Sequence, residues 1–265
     1  MTFSIVARDP VTGDFGIAIA SRALAVGAVA PFARATVGAI STQALPNVSY
    51  GPDALERLAA GEAAESILAA LTAADGLAAQ RQAGIVDALG RSATWTGKSC
   101  MAWAGGRVAP GVAAQGNILA GPEVVDALME AYASATGSFP RRLVAALRAG
   151  DQAGGDSRGR QSAALLVRRD KGGIGGLDDR WIDLRIDDHT DPVTELARLL
   201  TLHEKLTDFT DPAVLAQVGS VVVKQLSGAI KQAFAAKDVA AAASEGTLTA
   251  SPGPGVPEHL RNQPG

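Results

Sequence analysis

The order of apolar patterns along the chain constrains its fold most strongly. Stretches in which apolar and polar residues alternate come in three blocks, and a pair of helical stretches follows each of the first two. The strand-like stretches lie at 3–8, 14–21, 33–43, 82–114, 161–169 and 181–187. The helical stretches lie at 51–60, 63–74, 121–134 and 139–149. Runs of strands separated by runs of helices indicate a layered α+β fold.

The last quarter of the chain has a different pattern. From about residue 191 it becomes helical, and Val193, Leu196 and Leu200 share one helix face. We expect a main domain over 1–205 and a helical extension over 206–242. The stretch 243–265 is rich in proline and glycine and is predicted to be disordered.

Composition excludes several classes of protein. The 265 residues are 47% hydrophobic, which suffices for one large core, and a net charge of −3 argues against a nucleic-acid-binding protein. A single cysteine, Cys100, allows neither a disulfide framework nor a cysteine zinc site. The sequence has no apolar run of the ~18–20 residues that span a bilayer, and no basic stretch preceding an apolar one at its start. We therefore expect a cytoplasmic protein without a membrane partner.

The second residue suggests a particular chemistry. Thr2 follows Met1 and begins the first strand pattern, "MTFSIVARDP". Removal of Met1, which methionine aminopeptidases perform when the next residue is small, would leave a hydroxyl and a free α-amine on one residue. An α-amine has a pKa of about 8, so part of it is neutral at pH 7 and accepts the hydroxyl proton. Thr2 is thus a candidate nucleophile, although many chains begin with Met-Thr and make no chemical use of it.

Several longer stretches resemble a known family. They are "MTFSIVARDPVTGDFGIAIASR", "AVGAVAPFA", "STQA", "YGPDAL", "VAAQGNILAGPEVV", "AGGDSRGRQSAALLV" and "DLRIDDH". Over about residues 2–205 the chain resembles an uncharacterised bacterial family, domain of unknown function 1028, which is grouped with the Ntn (N-terminal nucleophile) hydrolases. The resemblance implies a four-layer αββα sandwich. It also implies amide hydrolysis by an N-terminal Thr, Ser or Cys, as in proteasome β-subunits.

The same resemblance suggests partners for Thr2. In proteasome-like relatives a basic side chain near the third strand lies beside the nucleophile. Arg34 lies at about the matching distance along this chain, and Arg22 is the competing residue. A guanidinium cannot accept a proton, so either would act only through its charge. A surface or ion-pair role for Arg34 is the alternative.

The stretch "AQGN" at 114–117 ends a predicted strand just before a Gly-Pro helix start. By its position it resembles the loop that binds the oxyanion in these relatives. The N–H of Gly116 and the amide of Asn117 would then stabilise the developing negative charge. Alternatively, Asn117 only satisfies nearby backbone groups.

The loop "AGGDSRGRQSA" at 153–163 combines three glycines with two arginines. Its position before a strand resembles the segment that supports the N-terminal residue in the relatives, which assigns that role to Asp156 and Ser162. Arg158 and Arg160 would contact substrate, or would only pair with acids. The loop lacks the Lys-Ser/Thr ending of a phosphate-binding P-loop.

No cofactor or metal is expected. Asp187, Asp188 and His189 are consecutive, and neighbouring residues on a strand point in opposite directions, so a charge pair and a helix cap explain them better than a shared ion. No G-x-S-x-G motif supports a serine–histidine–aspartate hydrolase.

Together these patterns predict a hydrolase of a small amide, ureido or cyclic amide compound, with Thr2 as nucleophile. The expected partners are this small-molecule substrate and further copies of the chain in a homo-oligomer. Two alternatives stay open. One is a catalytically silent sandwich that binds a ligand or serves in an assembly, and the other is a self-compartmentalising peptidase.

Overall fold

The structure is a computed structural model that describes residues 2–207. Within this range it forms ten strands and five α-helices. The strands are β1 (Thr2–Arg8), β2 (Phe15–Ser21), β3 (Pro31–Arg34), β4 (Gly38–Ala44), β5 (Arg81–Asp87), β6 (Ser92–Thr96), β7 (Gly105–Ala109), β8 (Val112–Asn117), β9 (Ser162–Arg168) and β10 (Arg180–Ile186). The α-helices are α1 (Tyr50–Ala59), α2 (Ala64–Ala74), α3 (Glu123–Ser134), α4 (Phe139–Gln152) and α5 (Pro192–Thr207).

The strands form two antiparallel sheets. The larger sheet has the order β10-β9-β2-β1-β8-β7, so that β1 lies in its interior between β2 and β8. The β1–β2 hairpin closes through the turn at Asp9–Asp14, where Gly13 adopts a positive φ of 78°. At the other end of β1, Thr2 pairs with Ser21 of β2 and with Asn117 of β8.

The smaller sheet has the order β3-β4-β5-β6. The prediction of one strand over 33–43 is wrong. The chain reverses there, and Arg34 of β3 pairs with Gly38 of β4. Thr36 in this turn has a φ of 63°, a left-handed conformation that interrupts any extended strand. Its β-branched side chain favours a strand in sequence patterns, which explains why the turn was missed.

Each sheet has helices on one face, and the two other faces meet. Phe3 and Ile5 of β1 pack with Leu128 of α3 and with Leu143 of α4, whereas Ile40 and Ile85 of the smaller sheet pack with α1 and α2. A third cluster lies between the sheets and includes Val6, Phe15 and Val86. The fold is therefore a mixed α+β fold with antiparallel sheets.

Period-two alternation in β1 determines which residues reach the space between the sheets. Phe3 and Ile5 face the helices. Ser4 donates a hydrogen bond to Gln43 of the smaller sheet, and Val6 belongs to the cluster between the sheets. Val6 lies in an apolar part of this space, and Ser4, nearer the start of the strand, lies in a polar part. Two polar residues of β1, Thr2 and Ser4, thus lie near its first residue, whereas Arg8 ends the strand.

The predicted extension over 206–242 and the tail over 243–265 lie outside the described residues, apart from positions 206 and 207 at the end of α5. Across residues 2–207 no helix has the length and apolar character needed to cross a membrane.

Candidate functional site

Four buried amide side chains connect the two sheets near Thr2. Gln43 Nε2 donates to Gln82 Oε1 at 2.8 Å and to the carbonyl of Thr2 at 3.2 Å. Asn117 Nδ2 donates to the same Gln82 oxygen at 2.9 Å, and Gln115 Nε2 donates to Ser4 Oγ at 2.7 Å. All four amides are at most 2% exposed. These hydrogen bonds hold the strands at a fixed spacing, because breaking one would leave a further buried polar group unsatisfied beside Gln115 Oε1, which is buried without a hydrogen-bond partner among the described residues.

The hydroxyl of Thr2 lies at the edge of this network. Its Oγ1 is 3.1 Å from Ser21 Oγ, across the β1–β2 pair. Thr2 is only 6% exposed, and hydrogen bonds to its carbonyl from Gln43 and Asn117 hold its backbone. The side chain is therefore fixed in position before any ligand binds.

Thr2 also lines a cavity of about 200 Å³ between the start of β1 and the segment after β2. Ser21, Thr42 and Gln43 supply the polar part of its wall, and Val26 and Val29 belong to the apolar part. Among the described residues that line this cavity, none is charged. A ligand in the cavity would therefore lie against Thr2.

A second cavity of about 400 Å³ adjoins Asn117 and shares the wall residue Ala44 with the first. Ala44 has a φ of 68°, and such backbone strain in a residue other than glycine is enriched at binding sites. Arg158 and Cys100 also line this second cavity. Burial raises the pKa of the Cys100 thiol, so this cysteine is not an activated thiolate.

The two predicted oxyanion donors lie beside Thr2 but already have partners. Asn117 pairs with Thr2 in the sheet, and its amide is held by Gln82. Gly116 lies in an interior strand, opposite both Phe3 and Gly105, and its carbonyl accepts a bond from Gln82 Nε2 at 2.7 Å. An interior position directs the N–H of Gly116 to a neighbouring strand instead of a ligand.

Asp156 and Ser162 hold the segment that forms the wall of the first cavity. Asp156 Oδ2 accepts the backbone N–H of Arg22 at 2.8 Å. Ser162 Oγ donates to the carbonyl of Ala23 at 2.5 Å and accepts the N–H of Val26 at 3.2 Å. Both residues thus fix the chain after β2, one step removed from the contact with Thr2 that the sequence suggested.

The arginines are distributed around the site. Arg158 pairs with Asp156 at 3.4 Å and faces the second cavity. Arg160 pairs with Asp151 at 2.8 Å, and this carboxylate raises the pKa of its guanidinium. The exposed Arg22 guanidinium donates to Gln161.

Arg34 lies elsewhere. Its guanidinium donates to the Leu55 carbonyl of α1 at 2.7 Å. Arg34, on β3, pairs with Gly38 of β4. Gly38 precedes Gln43, the residue that contacts Thr2, by five residues, a distance of about 17 Å along a strand. This position favours the alternative interpretation of Arg34 as a structural side chain.

The acidic stretch before α5 has local partners. His189 Nδ1 accepts the backbone N–H of Asp191 at 2.9 Å, and Gln161 donates to Asp188 at 3.1 Å. Within residues 2–207 no group of three or more His, Cys, Asp or Glu side chains is arranged to hold a metal ion.

Sequence patterns missed Ser21, Gln43 and Gln82 as site residues. Two signals were available. "STQA" places a glutamine in a buried strand, where burial demands a hydrogen-bond partner, and the hairpin pairs the last residue of β2 with Thr2. Which strands of the two sheets face each other was not visible in the sequence, so the partners of these glutamines could not be assigned.

The geometry defines a mixed α+β protein with a buried threonine beside a small cavity. The chain belongs to a family described as a family of unknown function (DUF1028), whose model matches residues 2–196. It is similar to the crystal structure of protein SPO2555 from Silicibacter pomeroyi, assigned to the same family, at 32% identity and a TM-score of 0.71. The match covers 80% of this chain and 93% of that one. No curated protein matches the chain.

Proposed function

We propose that this protein is an N-terminal-nucleophile hydrolase that cleaves a small amide, ureido or cyclic amide compound. The observation that carries the proposal is the Thr2 hydroxyl, held 3.1 Å from Ser21 Oγ at the wall of a cavity. Removal of Met1 would give Thr2 a free α-amine on the same residue. The amine then accepts the hydroxyl proton and later delivers it to the leaving nitrogen.

The four-layer αββα sandwich of the Ntn hydrolases is part of this proposal. It is supported by the packing of helices on the outer face of each sheet and by the contact of the two inner faces. The position of Thr2 at the start of an interior strand supports it as well, since a nucleophile on a rigid strand is held in register with its substrate.

The proton acceptor has to come from Thr2 itself. The described residues that line the cavity include no histidine, lysine or carboxylate. A hydroxyl without a base is a poor nucleophile, so the α-amine is the group in reach that fits the role.

Acylation by a β-lactone tests this proposal. The strained ring transfers its acyl group to a nucleophilic hydroxyl and leaves a stable mass increase on the protein. We expect one adduct on the wild-type protein, a slower reaction in Thr2→Ser and no adduct in Thr2→Ala. Thr72→Ala is the matched control, because Thr72 is as buried as Thr2 but lies in α2 and does not line the cavity, so the adduct should be unchanged.

A catalytically silent binding protein is the second candidate. It is favoured by the absence of charge among the described residues of the cavity wall, and by the Asn117 amide, which already has partners. A wild-type protein that lacks Met1 and still forms no adduct would support this candidate and contradict the hydrolase.

A further inference from the structure

The cavity beside Thr2 has one polar side and several apolar ones. Thr2, Ser21 and Thr42 supply hydroxyls on the polar side. Val26, Val29, Ala30 and Pro46 belong to the remaining wall and carry no hydrogen-bonding side chain. A group that enters the cavity from Thr2 therefore meets mainly hydrocarbon.

The size of the cavity limits what it can hold. Its volume of about 200 Å³ is below the ~300–1,000 Å³ of pockets that take a whole small ligand. One substituent of a substrate fits, and the rest must lie elsewhere. The neighbouring cavity of about 400 Å³, which shares Ala44 with the first and is lined by Asn117 and Arg158, offers that space.

The order of bond changes decides which part of the substrate fills the smaller cavity. When Thr2 attacks, the bond from Oγ1 to the carbonyl carbon forms and the C–N bond breaks. The hydroxyl proton passes through the α-amine of Thr2 to the departing nitrogen. The acyl group stays on Thr2 until water cleaves the ester and returns a proton to Oγ1. The group that remains on Thr2 therefore occupies the cavity that Thr2 lines.

We propose, on the basis of the function proposed above, that the substrate is an amide of a short aliphatic acid whose uncharged side chain fills the Val26–Val29 side of this cavity. A carboxylate or ammonium there would lose its hydration, and the described lining residues offer no counter-charge. Each buried methylene favours binding by about threefold to fourfold. A ureido compound fits less well, because its second nitrogen would face the apolar wall.

Val29 provides a test at the mouth of the cavity. It is 38% exposed, so changes to it carry little risk of unfolding. Three β-lactones that carry a methyl, an isobutyl or a carboxymethyl group beside the carbonyl would be compared. Each would react with protein that lacks Met1, and intact mass would follow the rate of acylation. We expect the isobutyl probe to react at least about tenfold faster than the methyl probe, and the carboxymethyl probe to react most slowly.

Enlarging and shrinking the side chain at position 29 should affect this preference differently. Val29→Phe narrows the cavity and should favour the methyl probe, whereas Val29→Ala should leave the isobutyl probe preferred. Ala28→Phe is the control, because Ala28 is exposed in the same segment and does not line the cavity. Equal rates for all probes, unchanged by Val29→Phe, would overturn the inference and leave the hydrolase standing. No adduct with any probe would overturn both.

Discussion

At the scale of the residue, the site depends on one contact between two hydroxyls. Thr2 Oγ1 and Ser21 Oγ are 3.1 Å apart and nearly inaccessible to solvent. Ser21 lies directly opposite Thr2 in the β1–β2 hairpin, so the contact follows from strand register. One of these hydroxyls donates to the other, so the contact restricts the rotation of both.

Ser21→Ala should therefore slow acylation of Thr2 by about fivefold, as expected for the loss of one hydrogen bond of about 1 kcal/mol. The measurement is the rate of adduct formation with a β-lactone. Ser41→Ala is the control: Ser41 is equally buried, but its hydroxyl contacts Gln43 at 3.5 Å and not Thr2. An unchanged rate in Ser21→Ala would show that this contact does not orient the nucleophile.

The sequence could single out Thr2 as a candidate residue but could not give the surroundings of its side chain. A small residue that follows Met1 at the start of a strand pattern can be recognised from one short stretch of sequence. The contacts of Thr2 with Gln43 and Asn117 join residues 41 and 115 positions apart, which no local pattern reports. Arg34 illustrates the same limit, because distance along the chain did not indicate which end of β3 it would occupy.

At the scale of the element, strands and helices were largely predictable and the pairing of the sheets was not. Alternation identified β1 and β2, and helical spacing identified α1 to α4 with small differences at their ends. The hairpin of β3 and β4 was missed, because its turn at Thr36 carries no glycine or proline. Its left-handed conformation is imposed by the pairing of the two strands, which becomes visible only in the folded sheet.

Close approach of the two sheets depends on Gly84 in β5. A Cβ atom at this position would lie 2.7 Å from Gln115 Nε2 and would also overlap the rest of that amide. Gly84→Ala should lower the free energy of unfolding by about 1–3 kcal/mol, as overpacking does in buried sites. Urea unfolding measures this difference.

Gly76→Ala is the matched control for this prediction. A Cβ at Gly76 meets no atom within 4 Å, and the residue is exposed. The free energy of unfolding of Gly76→Ala should equal that of the wild type or exceed it by up to about 1 kcal/mol. Equal stabilities of the two variants would contradict the close contact between Gly84 and Gln115.

At the scale of the whole molecule, Asp75 connects several parts of the layer around α1 and α2. Its carboxylate accepts bonds from Asn47, from Tyr50 OH at 3.0 Å and from Arg81 Nε at 2.9 Å. The guanidinium of Arg81 and the N–H of Leu77 lower the pKa of Asp75 well below its usual range. Burial and the bond to Asp75 raise the pKa of Tyr50 to about 12.

This lowered pKa predicts a pH dependence of stability. A carboxyl whose pKa is lower in the folded state stabilises the protein above its unfolded pKa of about 4, and the contribution is lost as pH falls below that value. Asp75→Asn should lower the free energy of unfolding by about 1–3 kcal/mol at pH 7, and the difference should shrink by pH 2 to 3. Asp170→Asn, at an exposed carboxylate, is the control. A difference that stays constant with pH would contradict this role of Asp75.

Assembly also belongs to this scale. We expect a homo-oligomer, and a self-compartmentalising peptidase would require a closed ring of many copies. Size-exclusion chromatography with light scattering distinguishes these cases. A dimer agrees with a hydrolase of small amides, a large ring would favour the peptidase, and a monomer would contradict the expected self-association.

The central claim is that Thr2 is an N-terminal nucleophile, and one measurement tests it most directly. The untagged protein would be treated with a β-lactone, and the modified peptide sequenced by tandem mass spectrometry. The account predicts that the chain begins at Thr2, without Met1, and that the acyl group is attached to the Thr2 hydroxyl. A retained Met1 together with an unmodified Thr2 would contradict it.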